Sequence, residues 1–327
     1  MSSTKSLRLL TFNVWFRKFN FEARCKRIIE IIKDRSDVAC LQEVTPDFVR
    51  LMQADKEFKE MFHVSSNRLN RYGIKILVRK SLFPSFVPEF QEVKLPSRMA
   101  RSLLMTVIRP MDLVIATVHL ESLDSRGTRE HQLKIIASNL KTYEEKGFSA
   151  LLCGDFNICS RRNFSSSYKT ADDGTDEKDL ENNVVDRTLP HYDDAWVMMM
   201  SDKEPYGFTM DSARNPNIVN SEGRGSYCQY RLDRIMLNLS VSIIPSSYSL
   251  VGTERINNSF CPSDHFGLTL RLDHDTKLAA KLRKSKFCVS SQVRNRVPFS
   301  CYDENVNHIT QMTIMSLSYP KKITRTQ

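Results

Sequence analysis

The chain has 327 residues, of which 41% are apolar and 26% are charged, with a formal net charge of +10. This composition is typical of a globular protein that can bury a sizeable core. No apolar run approaches the roughly 18–20 residues of a membrane span, and the beginning, MSSTKSLRLLTF, has no apolar segment long enough for a secretory signal. We therefore expect an intracellular protein, of the nucleus or cytoplasm, that has no membrane partner.

The eight cysteines are scattered without a CxxC pair, so we expect reduced, buried thiols and no zinc site. The positive charge is concentrated at the end of the chain. Residues 274–327 hold ten Lys/Arg and three Asp/Glu, a net charge of +7. We expect this segment to be a basic, poorly ordered tail that adds nonspecific affinity for nucleic acid.

Short apolar runs with strand character alternate with helical patterns. Apolar residues at i, i+3, i+4 and i+7 predict an amphipathic helix over residues 21–35. The predicted strands, in chain order, are 7–15, 38–44, 73–79, 101–109, 111–120, 149–155, 229–238 and 266–273. Further helices are predicted over 128–146 and from Pro46 onward, and the polar stretch 160–185 is predicted to be a loop.

The many strands and few helices argue against a purely parallel, doubly wound sheet, which needs stricter alternation. The neighbouring runs 101–109 and 111–120 read as a hairpin that turns at Pro110. The sequence therefore predicts an α/β protein in which two packed mixed β-sheets are flanked by helices, with one domain over residues 1–273.

Polar side chains recur at the ends of these strands. A buried polar group without a partner costs roughly 1–3 kcal/mol, so repeated interruptions indicate one shared polar pocket at the sheet edges. The residues are Asn13, Gln42, Glu43, His119, Ser122, Asp155, Asn157, Asp233, Asp264 and His265. Because side chains two apart on an extended segment point the same way, Asp155 and Asn157 can face one ligand.

These residue types suit metal-assisted hydrolysis of a phosphodiester. Glu43 is a hard oxygen donor of the kind that Mg²⁺ takes, and no His/Cys cluster has zinc spacing. An imidazolium at His265, held by a carboxylate, could donate to a phosphoryl oxygen. Each residue also has an ordinary structural interpretation: Asp155 as a turn residue, Glu43 as a solvated charge and Asp264 as a cap. In the same way, His119 could be structural, and Asp233 could pair with Arg231 or Arg234.

The order of the motifs decides between these interpretations. TFN, LQEV, HLES, GDFN, RLDRI and PSDHFGL follow one another over residues 7–273, and this series resembles the endonuclease/exonuclease/phosphatase superfamily. Within the superfamily, YGFTMDS, SLVGTE and PSDHFGLTLRLD are similar to the tyrosyl-DNA phosphodiesterase branch. The resemblance implies a four-layered α/β sandwich and assigns residues 1–273 as its catalytic domain.

The resemblance also implies a role for each site residue. Glu43 is the Mg²⁺ ligand, with Mn²⁺ able to substitute, and Asp264 supports metal-bound water. Asp155 aligns and deprotonates the attacking water, while Asn157 and His265 stabilise charge on the phosphoryl oxygens. Three further roles concern orientation and binding: Asp233 orients His265, Asn13 helps to hold metal or phosphate, and His119 and Ser122 contact the scissile phosphate region.

The implied function is hydrolysis of 5′-phosphotyrosyl bonds, which frees DNA ends from trapped topoisomerase. Two alternatives stay open at this point: another nuclease or phosphodiesterase of the superfamily, acting on abasic DNA, RNA or a small phosphodiester, and an inactive nucleic-acid-binding scaffold. Two positions depart from the family pattern. Cys159 stands where the family often has Arg, and Met210 stands where it often has an aromatic residue, and both positions help to grip the DNA end.

Overall fold

The computed structural model describes residues 4–163, 177–203, 206–218 and 228–280. The chain divides into a compact unit of residues 1–277 and a second unit of residues 278–327. All helices and strands named below lie in the first unit. The predicted basic tail lies almost entirely outside the described residues, so its poor order stays a prediction.

The first of two six-stranded sheets is built around the parallel pair β1 and β2, and its other pairs are antiparallel. In spatial order its strands are β13 (Ile243–Val251), β14 (Gly267–Asp275), β1 (Thr4–Asn13), β2 (Val38–Val44), β4 (Gly73–Arg79) and β3 (Phe62–Val64). The sheet is therefore mixed, as the sequence predicts.

The second six-stranded sheet has the same plan, because its one parallel pair, β7 and β8, lies at its centre. In spatial order its strands are β5 (Phe90–Lys94), β6 (Ser102–Ile108), β7 (Leu113–His119), β8 (Ser149–Asp155), β12 (Asp233–Asn238) and β9 (Asp193–Asp194). A separate small pair is formed by β10 (Met210–Asp211) and β11 (Gln229–Tyr230).

Within the ranges given above, six α-helices lie between these strands in the chain. They are α1 (Phe21–Arg35), α2 (Pro46–Ala54), α3 (Lys56–Met61), α4 (Arg126–Glu144), α5 (Asn183–Thr188) and α6 (Ala195–Met200). Thr45 caps α2 by accepting a hydrogen bond from the backbone N–H of Phe48, and Pro46 occupies the first turn. None of these helices is both long and apolar enough to cross a membrane.

Three buried apolar clusters separate four layers. One fills the space between the two sheets. A second lies between the first sheet and helices α1, α2 and α3, and it includes the predicted stripe of Cys25, Ile28, Ile29 and Ile32. The third lies between the second sheet and helices α4 and α5. The predicted fold, a four-layered α/β sandwich with two mixed sheets, is confirmed.

The alternation of side chains along the strands explains where the polar residues go. In β1, Leu7 and Leu9 face the inter-sheet core, whereas Leu10 and Phe12 face the helices. Two-residue periodicity therefore places Asn13 on the inner face at the end of the strand. The same two-residue periodicity places the side chains of His119, at the end of β7, and Asp155, at the end of β8, on the inner faces of their strands. Polar residues therefore line one end of the inter-sheet space.

Two predictions about elements were wrong in part. The predicted strand 229–238 is two strands, β11 and β12, which are interrupted at Leu232. The backbone N–H of Leu232 donates to the side chain of Thr209, and its carbonyl accepts from the backbone N–H of Phe156. The predicted loop 160–185 contains a short 3₁₀ turn, Glu177–Asp179, and the beginning of α5. Residues 164–176 of that stretch lie outside the described ranges.

Candidate active site

Asp155 occupies the end of β8 because Gly154 allows an unusually close approach to the neighbouring strand. Gly154 has φ of +134°, and a Cβ there would lie 2.0 Å from the carbonyl oxygen of Val118. Gly154 lies within the strand, and the alternative interpretation of Asp155 as a turn residue is wrong, since Asp155 is the last residue of β8. Any side chain here would push β8 away from β7 and displace Asp155.

Three side chains and one backbone N–H surround the carboxylate of Asp155, which is 2% exposed. Asn13 donates from Nδ2 to Oδ2 at 3.0 Å, and the backbone N–H of Asn157 donates to Oδ1 at 2.9 Å. Nε2 of His119 and Nε2 of His265 lie 3.5 Å and 3.9 Å from Oδ2. Residues separated by more than 100 positions in the chain therefore meet at one carboxylate.

His265 forms a short hydrogen bond with a second buried carboxylate. Its Nδ1 lies 2.7 Å from Oδ2 of Asp233, which is 1% exposed. Burial alone would lower the pKa of His265, but Asp233, together with Asp155 and Asp264, outweighs burial and raises the pKa well above its usual value. His265 is therefore an imidazolium at neutral pH, and its Nε2–H faces Asp155. Asp233 pairs with this histidine, while Arg231 pairs with Asp194.

The carboxylate of Asp155 is ionised. Burial raises its pKa, but His119, His265 and the N–H donors of Asn157 and Asn13 outweigh burial and lower the pKa below its usual value. Of the two histidines, His265 carries the charge. Burial and the neighbouring Arg101 lower the pKa of His119 to about 3, so His119 is neutral at pH 7.

Arg101 fixes the orientation of both His119 and Ser122. Its Nη1 lies 3.0 Å from Nδ1 of His119, and its Nη2 donates to Oγ of Ser122 at 2.8 Å. A guanidinium is only a donor, so Nδ1 accepts and the neutral His119 carries its proton on Nε2. Both predicted phosphate-contacting side chains are thus left with a free donor at the pocket.

Asn157 follows β8 in a left-handed conformation with φ of +50°. Asparagine tolerates this region better than most residues, and the bond from its N–H to Asp155 holds the turn. Its Nδ2 donates to the carbonyl of Leu120 at 3.1 Å. The amide group has a second N–H, which stays available to a ligand.

Glu43 reaches the site through a local irregularity in β2. Strand alternation would turn its side chain toward the helices, as it does for Leu41. However, Glu43 has φ of +59°, and the pairing of β2 with β4 shifts register between Leu41 and Val44. The carboxylate instead accepts from the backbone N–H of Phe16 at 3.0 Å.

Glu43 and Asp264 form an excess of negative charge. Burial, followed by the charge of Asp264, raises the pKa of Glu43 to about 7. Burial also raises the pKa of Asp264, although His265 and Arg24 oppose this effect. Both residues offer hard oxygen donors, and a divalent cation between them would offset the repulsion of their negative charges. The donor set therefore fits Mg²⁺ or Mn²⁺.

A second group in the site has metal-binding geometry. Asp155, Asp233 and His265 offer ligand atoms that all lie within 4.8 Å of one another. The short bond from His265 to Asp233 and the raised pKa of the histidine favour an Asp–His–Asp hydrogen-bonded chain instead, because a protonated imidazole cannot ligate a metal.

Nine of the ten strand-end residues named from the sequence lie in this cluster. The exception is Gln42, which donates from Nε2 to Oγ1 of Thr117 at 2.9 Å. Sequence reasoning missed three supporting residues. Arg101 orients His119, and Oγ1 of Thr209 accepts from the backbone N–H of Asp233 at 3.1 Å. Arg24 is fully buried and donates to five backbone carbonyls, including that of Pro262 at 2.9 Å. A single arginine or threonine in an ordinary sequence context gives no signal of such roles.

A family model described as Endonuclease/Exonuclease/phosphatase family matches residues 10–265. The chain belongs to this family. Human tyrosyl-DNA phosphodiesterase 2 is 28% identical over 244 residues, which cover 72% of this chain and 59% of the human protein. The chicken protein of the same name is 24% identical over 275 residues, covering 82% of this chain and 67% of that protein. The family predicted from the motif order is confirmed, as is the likeness to tyrosyl-DNA phosphodiesterase 2.

Solved structures of family members confirm the fold. The crystal structure of D. rerio TDP2 complexed with a single-strand DNA product has a TM-score of 0.66 at 21% identity, covering 82% of this chain and 99% of that one. A mannosyl-6-phosphatase from Bacteroides thetaiotaomicron has a TM-score of 0.56 at 15% identity, with coverage of 81% and 99%. Since both share the fold, the fold does not name the linkage that this family member cleaves.

The two positions that depart from the family pattern lie in one small apolar cluster. Cys159 belongs to it with Ile218, Cys228 and Tyr230, and Met210 and Leu232 pack against it. Residues 219–227, between two of its members, are outside the described ranges. The six cysteines of the described residues are free and buried, as the sequence predicts, and Cys288 and Cys301 fall beyond those ranges.

Proposed function

We propose that this protein is a metal-dependent phosphodiesterase that hydrolyses 5′-phosphotyrosyl bonds at DNA ends and thereby frees DNA from trapped topoisomerase. The observation that carries the proposal is the arrangement around Asp155: an ionised carboxylate, an imidazolium at His265 and a neutral His119 within 4 Å of one oxygen. Such a group can align a nucleophile and stabilise charge at the same phosphorus.

Asp155 is the residue that aligns the attacking water and accepts its proton. Hydrogen bonds from Asn13 and from the backbone of Asn157 fix its carboxylate on the rigid end of β8. The lowered pKa keeps Asp155 ionised over the whole neutral range, so it is always available as an acceptor. General-base assistance of this kind contributes roughly 10²–10⁴-fold to the rate.

His265 and Asn157 stabilise the negative charge that develops on the phosphoryl oxygens. The imidazolium of His265 donates from Nε2, and Asp233 keeps it protonated and oriented through Nδ1. His119 donates from Nε2 as a neutral imidazole, and Ser122 donates from its hydroxyl, both held by Arg101. These donors are fixed before the substrate arrives, which is what makes such stabilisation effective.

Glu43 and Asp264 would hold the metal ion, and Asn13, which donates from Nδ2 to Asp155, would help to hold metal or phosphate. Mg²⁺ suits two hard carboxylates, and Mn²⁺ can substitute for it. When bound, the ion supplies Lewis-acid stabilisation of phosphoryl oxygen charge. Burial and the charge of Asp264 raise the pKa of Glu43 to about 7, which supports the assignment of a cation to this pair of carboxylates.

The substrate assignment rests on the relatives. Human, bovine and chicken relatives are all tyrosyl-DNA phosphodiesterase 2, and a structural neighbour contains a single-strand DNA product. The chain spans 59% of the length of the human relative, so the whole activity of that protein is a proposal for this one. We place the protein in DNA repair, acting as a monomer in the nucleus or cytoplasm.

A product assay on matched oligonucleotides tests the substrate. One oligonucleotide carries a 5′-tyrosine, a second carries an abasic site, a third carries neither, and an RNA version of the first is included. We expect release of tyrosine with a 5′-phosphate product from the first and slow or no cleavage of the others. Preferential incision at the abasic site, or preference for the RNA, would replace the proposed substrate and leave the family assignment intact.

A further inference from the structure

An exposed group of arginines lies beside the pocket, on the segment after β1 and on the loop between β3 and β4. We call it the arginine surface, and it consists of Phe16, Arg17, Arg68 and Arg71. The ring of Phe16 is half-buried, and the three arginines are exposed. The guanidinium groups of Arg71 and Arg17 lie over the Phe16 ring, 5.5 Å and 5.7 Å from its centroid.

This surface is continuous with the catalytic pocket. Phe16 stacks on Tyr72 with the ring centroids 4.8 Å apart and the planes within 6° of parallel. The Tyr72 ring in turn lies 6.4 Å from the ring of His119, and the guanidinium of Arg101 lies over it at 5.6 Å. A polymer that leaves the pocket past Tyr72 therefore meets the arginine surface next.

The loop that carries Arg68 and Arg71 is held in place from below. Lys75, which is 5% exposed, donates from Nζ to the backbone carbonyls of Ser65 and Asn67 at 2.7 Å and 2.6 Å. Nδ2 of Asn67 donates across the loop to the carbonyl of Ile74 at 3.1 Å. The surface is thus largely formed before anything binds, which lowers the entropic cost of binding.

The charge of this surface is not neutralised within the described residues. Neither residues 15–20 nor residues 65–72 contain an acidic residue. Lys18 pairs with Asp47, but none of the ion pairs recorded for the described ranges involves Arg17, Arg68 or Arg71. Exposed guanidinium groups with no carboxylate partner are ready to form bidentate bonds with an external anion.

A second surface beside the pocket has a different character. Around Tyr206 and Met210 it presents apolar and aromatic side chains, with Tyr206 44% exposed and stacked on Phe208 at 5.2 Å, and with one guanidinium, that of Arg161, 4.3 Å from the centroid of the Tyr206 ring. That surface suits nucleobases, which stack on exposed rings. The arginine surface instead has three exposed arginines and a half-buried Phe16 ring that already stacks on Tyr72.

We propose that the arginine surface binds acidic side chains of the polypeptide that remains attached to the 5′-tyrosine of the substrate. Carboxylates of residues flanking the tyrosine accept hydrogen bonds from Arg17, Arg68 and Arg71, while the nucleotides extend over the other surface. This inference rests on the proposed function, because it requires a tyrosyl linkage at the pocket. It adds a preference for the sequence of the protein adduct.

The experiment compares three adducts on one 5′-phosphotyrosyl oligonucleotide. The first is tyrosine alone, the second is a short peptide with Asp and Glu on both sides of the tyrosine, and the third replaces these residues with Asn and Gln. We expect wild-type kcat/KM to favour the acidic peptide over its amide counterpart by about 5- to 10-fold, and the preference to shrink at high salt.

The test variant is Arg17→Gln combined with Arg68→Gln and Arg71→Gln. We expect it to lose the preference for the acidic peptide and to cleave the tyrosine-only substrate within about 2-fold of the wild-type rate. The matched control, Arg35→Gln with Arg109→Gln and Arg187→Gln, removes the same charge from exposed positions on α1, on the turn between β6 and β7, and on α5. It should retain the preference.

Three outcomes would overturn the inference: equal cleavage of the acidic and amide peptides, a preference that survives in the test variant, or an equal loss of affinity for all three adducts. The last outcome would assign the surface to nucleic acid. Fluorescence anisotropy of the labelled acidic phosphotyrosyl peptide alone, with wild type and the test variant, decides the inference even if no adduct is cleaved. Cleavage of the tyrosine-only substrate by wild type reports separately on the proposed function.

Discussion

The two halves of the site differ in how their charges are satisfied. The half at the ends of β8 and β12 contains Asp155 and Asp233, and both carboxylates have partners in the protein. Asn13 and the backbone of Asn157 donate to Asp155, and the His265 imidazolium pairs with Oδ2 of Asp233. Oδ1 of Asp233 has no hydrogen-bond partner among the described residues, and burial raises the pKa of Asp233, although His265 opposes this effect. The other half contains Glu43 and Asp264, whose ionised forms burial and mutual repulsion disfavour.

This difference separates groups that the protein completes by itself from groups that require a cation. In the first half, the pKa of Asp155 is lowered although burial opposes ionisation, because its donors outweigh burial. In the second half, the pKa of Glu43 rises to about 7 because only one backbone donor and a distant His265 oppose burial. The proposed mechanism uses the first half to move a proton and the second to hold a metal.

The largest expected effect is on turnover when the first half loses its base. We predict that Asp155→Asn lowers the single-turnover rate on a 5′-tyrosyl oligonucleotide by ~10³-fold or more, since an amide can neither take a proton nor pair with His265. Asn157→Ala should cost roughly 10²–10³-fold, the scale of one lost oxyanion donor. Thermal melts serve as the folding control. A well-folded Asp155→Asn protein with more than about a tenth of the wild-type rate would remove Asp155 from its assigned role.

A somewhat smaller loss of turnover is expected when the His265 imidazolium is removed, or when it loses its hydrogen bond to Asp233. We predict a loss of roughly 10²–10³-fold for His265→Ala and about 10-fold for Asp233→Asn, because Asp233 acts only through His265. Asp233 holds the pKa of His265 above its usual value, so Asp233→Asn should also move the alkaline limb of the pH–rate profile to lower pH. An unchanged pH profile in that variant would show that Asp233 does not control the protonation of His265.

Much of this arrangement follows from the sequence. Period-two burial in β1, β7 and β8 is readable from apolar residues, and it carries Asn13, His119 and Asp155 to the same inner edge. Glu43 was named from the sequence as a strand-end oxygen donor, but its orientation could not be predicted, because it depends on a left-handed residue and a register shift that no local pattern encodes. Arg101 was missed for a related reason, since its contacts join residues about 20 positions apart.

The fold shows the same division. Strands buried on both faces, such as β2 and β8, were predicted with their observed bounds because they are continuous apolar runs. The edge strand β13 was missed, since it is largely exposed and is interrupted by an irregularity after Pro245. The break between β11 and β12 depends on the Thr209 side chain, which is distant in sequence.

We also predict that two near-isosteric changes, Glu43→Gln and Asp155→Asn, have opposite effects on the stability of the metal-free protein. The folded-state pKa of Glu43, about 7, lies above its ordinary value of 4.5, so wild type loses stability as pH rises through this window. We predict that Glu43→Gln raises the melting temperature in EDTA at pH 8 and has little effect below pH 4.5. Asp155→Asn should lower it at pH 8, because the uncharged amide keeps one acceptor oxygen for the two donors, Asn13 and the backbone of Asn157. Equal destabilisation by both changes at pH 8 would show that the two halves do not differ.

The smallest effect is expected from the end of the chain. Both halves lie within the compact unit that ends at residue 277, and residues 281–327 hold nine Lys/Arg and two Asp/Glu. We predict that deleting 281–327 leaves kcat on a short substrate within a few-fold and flattens the salt dependence of DNA binding. The cut falls after residue 280 because β14 continues to Asp275, beyond the predicted boundary at 273. A large loss of kcat in a soluble truncated protein would show that the tail contributes to the site.

The most direct test of the account is a Mg²⁺ titration of single-turnover hydrolysis, starting from protein treated with EDTA. The account predicts no hydrolysis of the 5′-tyrosyl oligonucleotide in EDTA and full recovery with Mg²⁺ or Mn²⁺. Glu43→Gln should require at least about 10-fold more Mg²⁺, and Asp155→Asn should stay inactive at every concentration. Full wild-type activity in excess EDTA would contradict the assignment of Glu43 and Asp264 to a metal, and with it the division of the site into two halves.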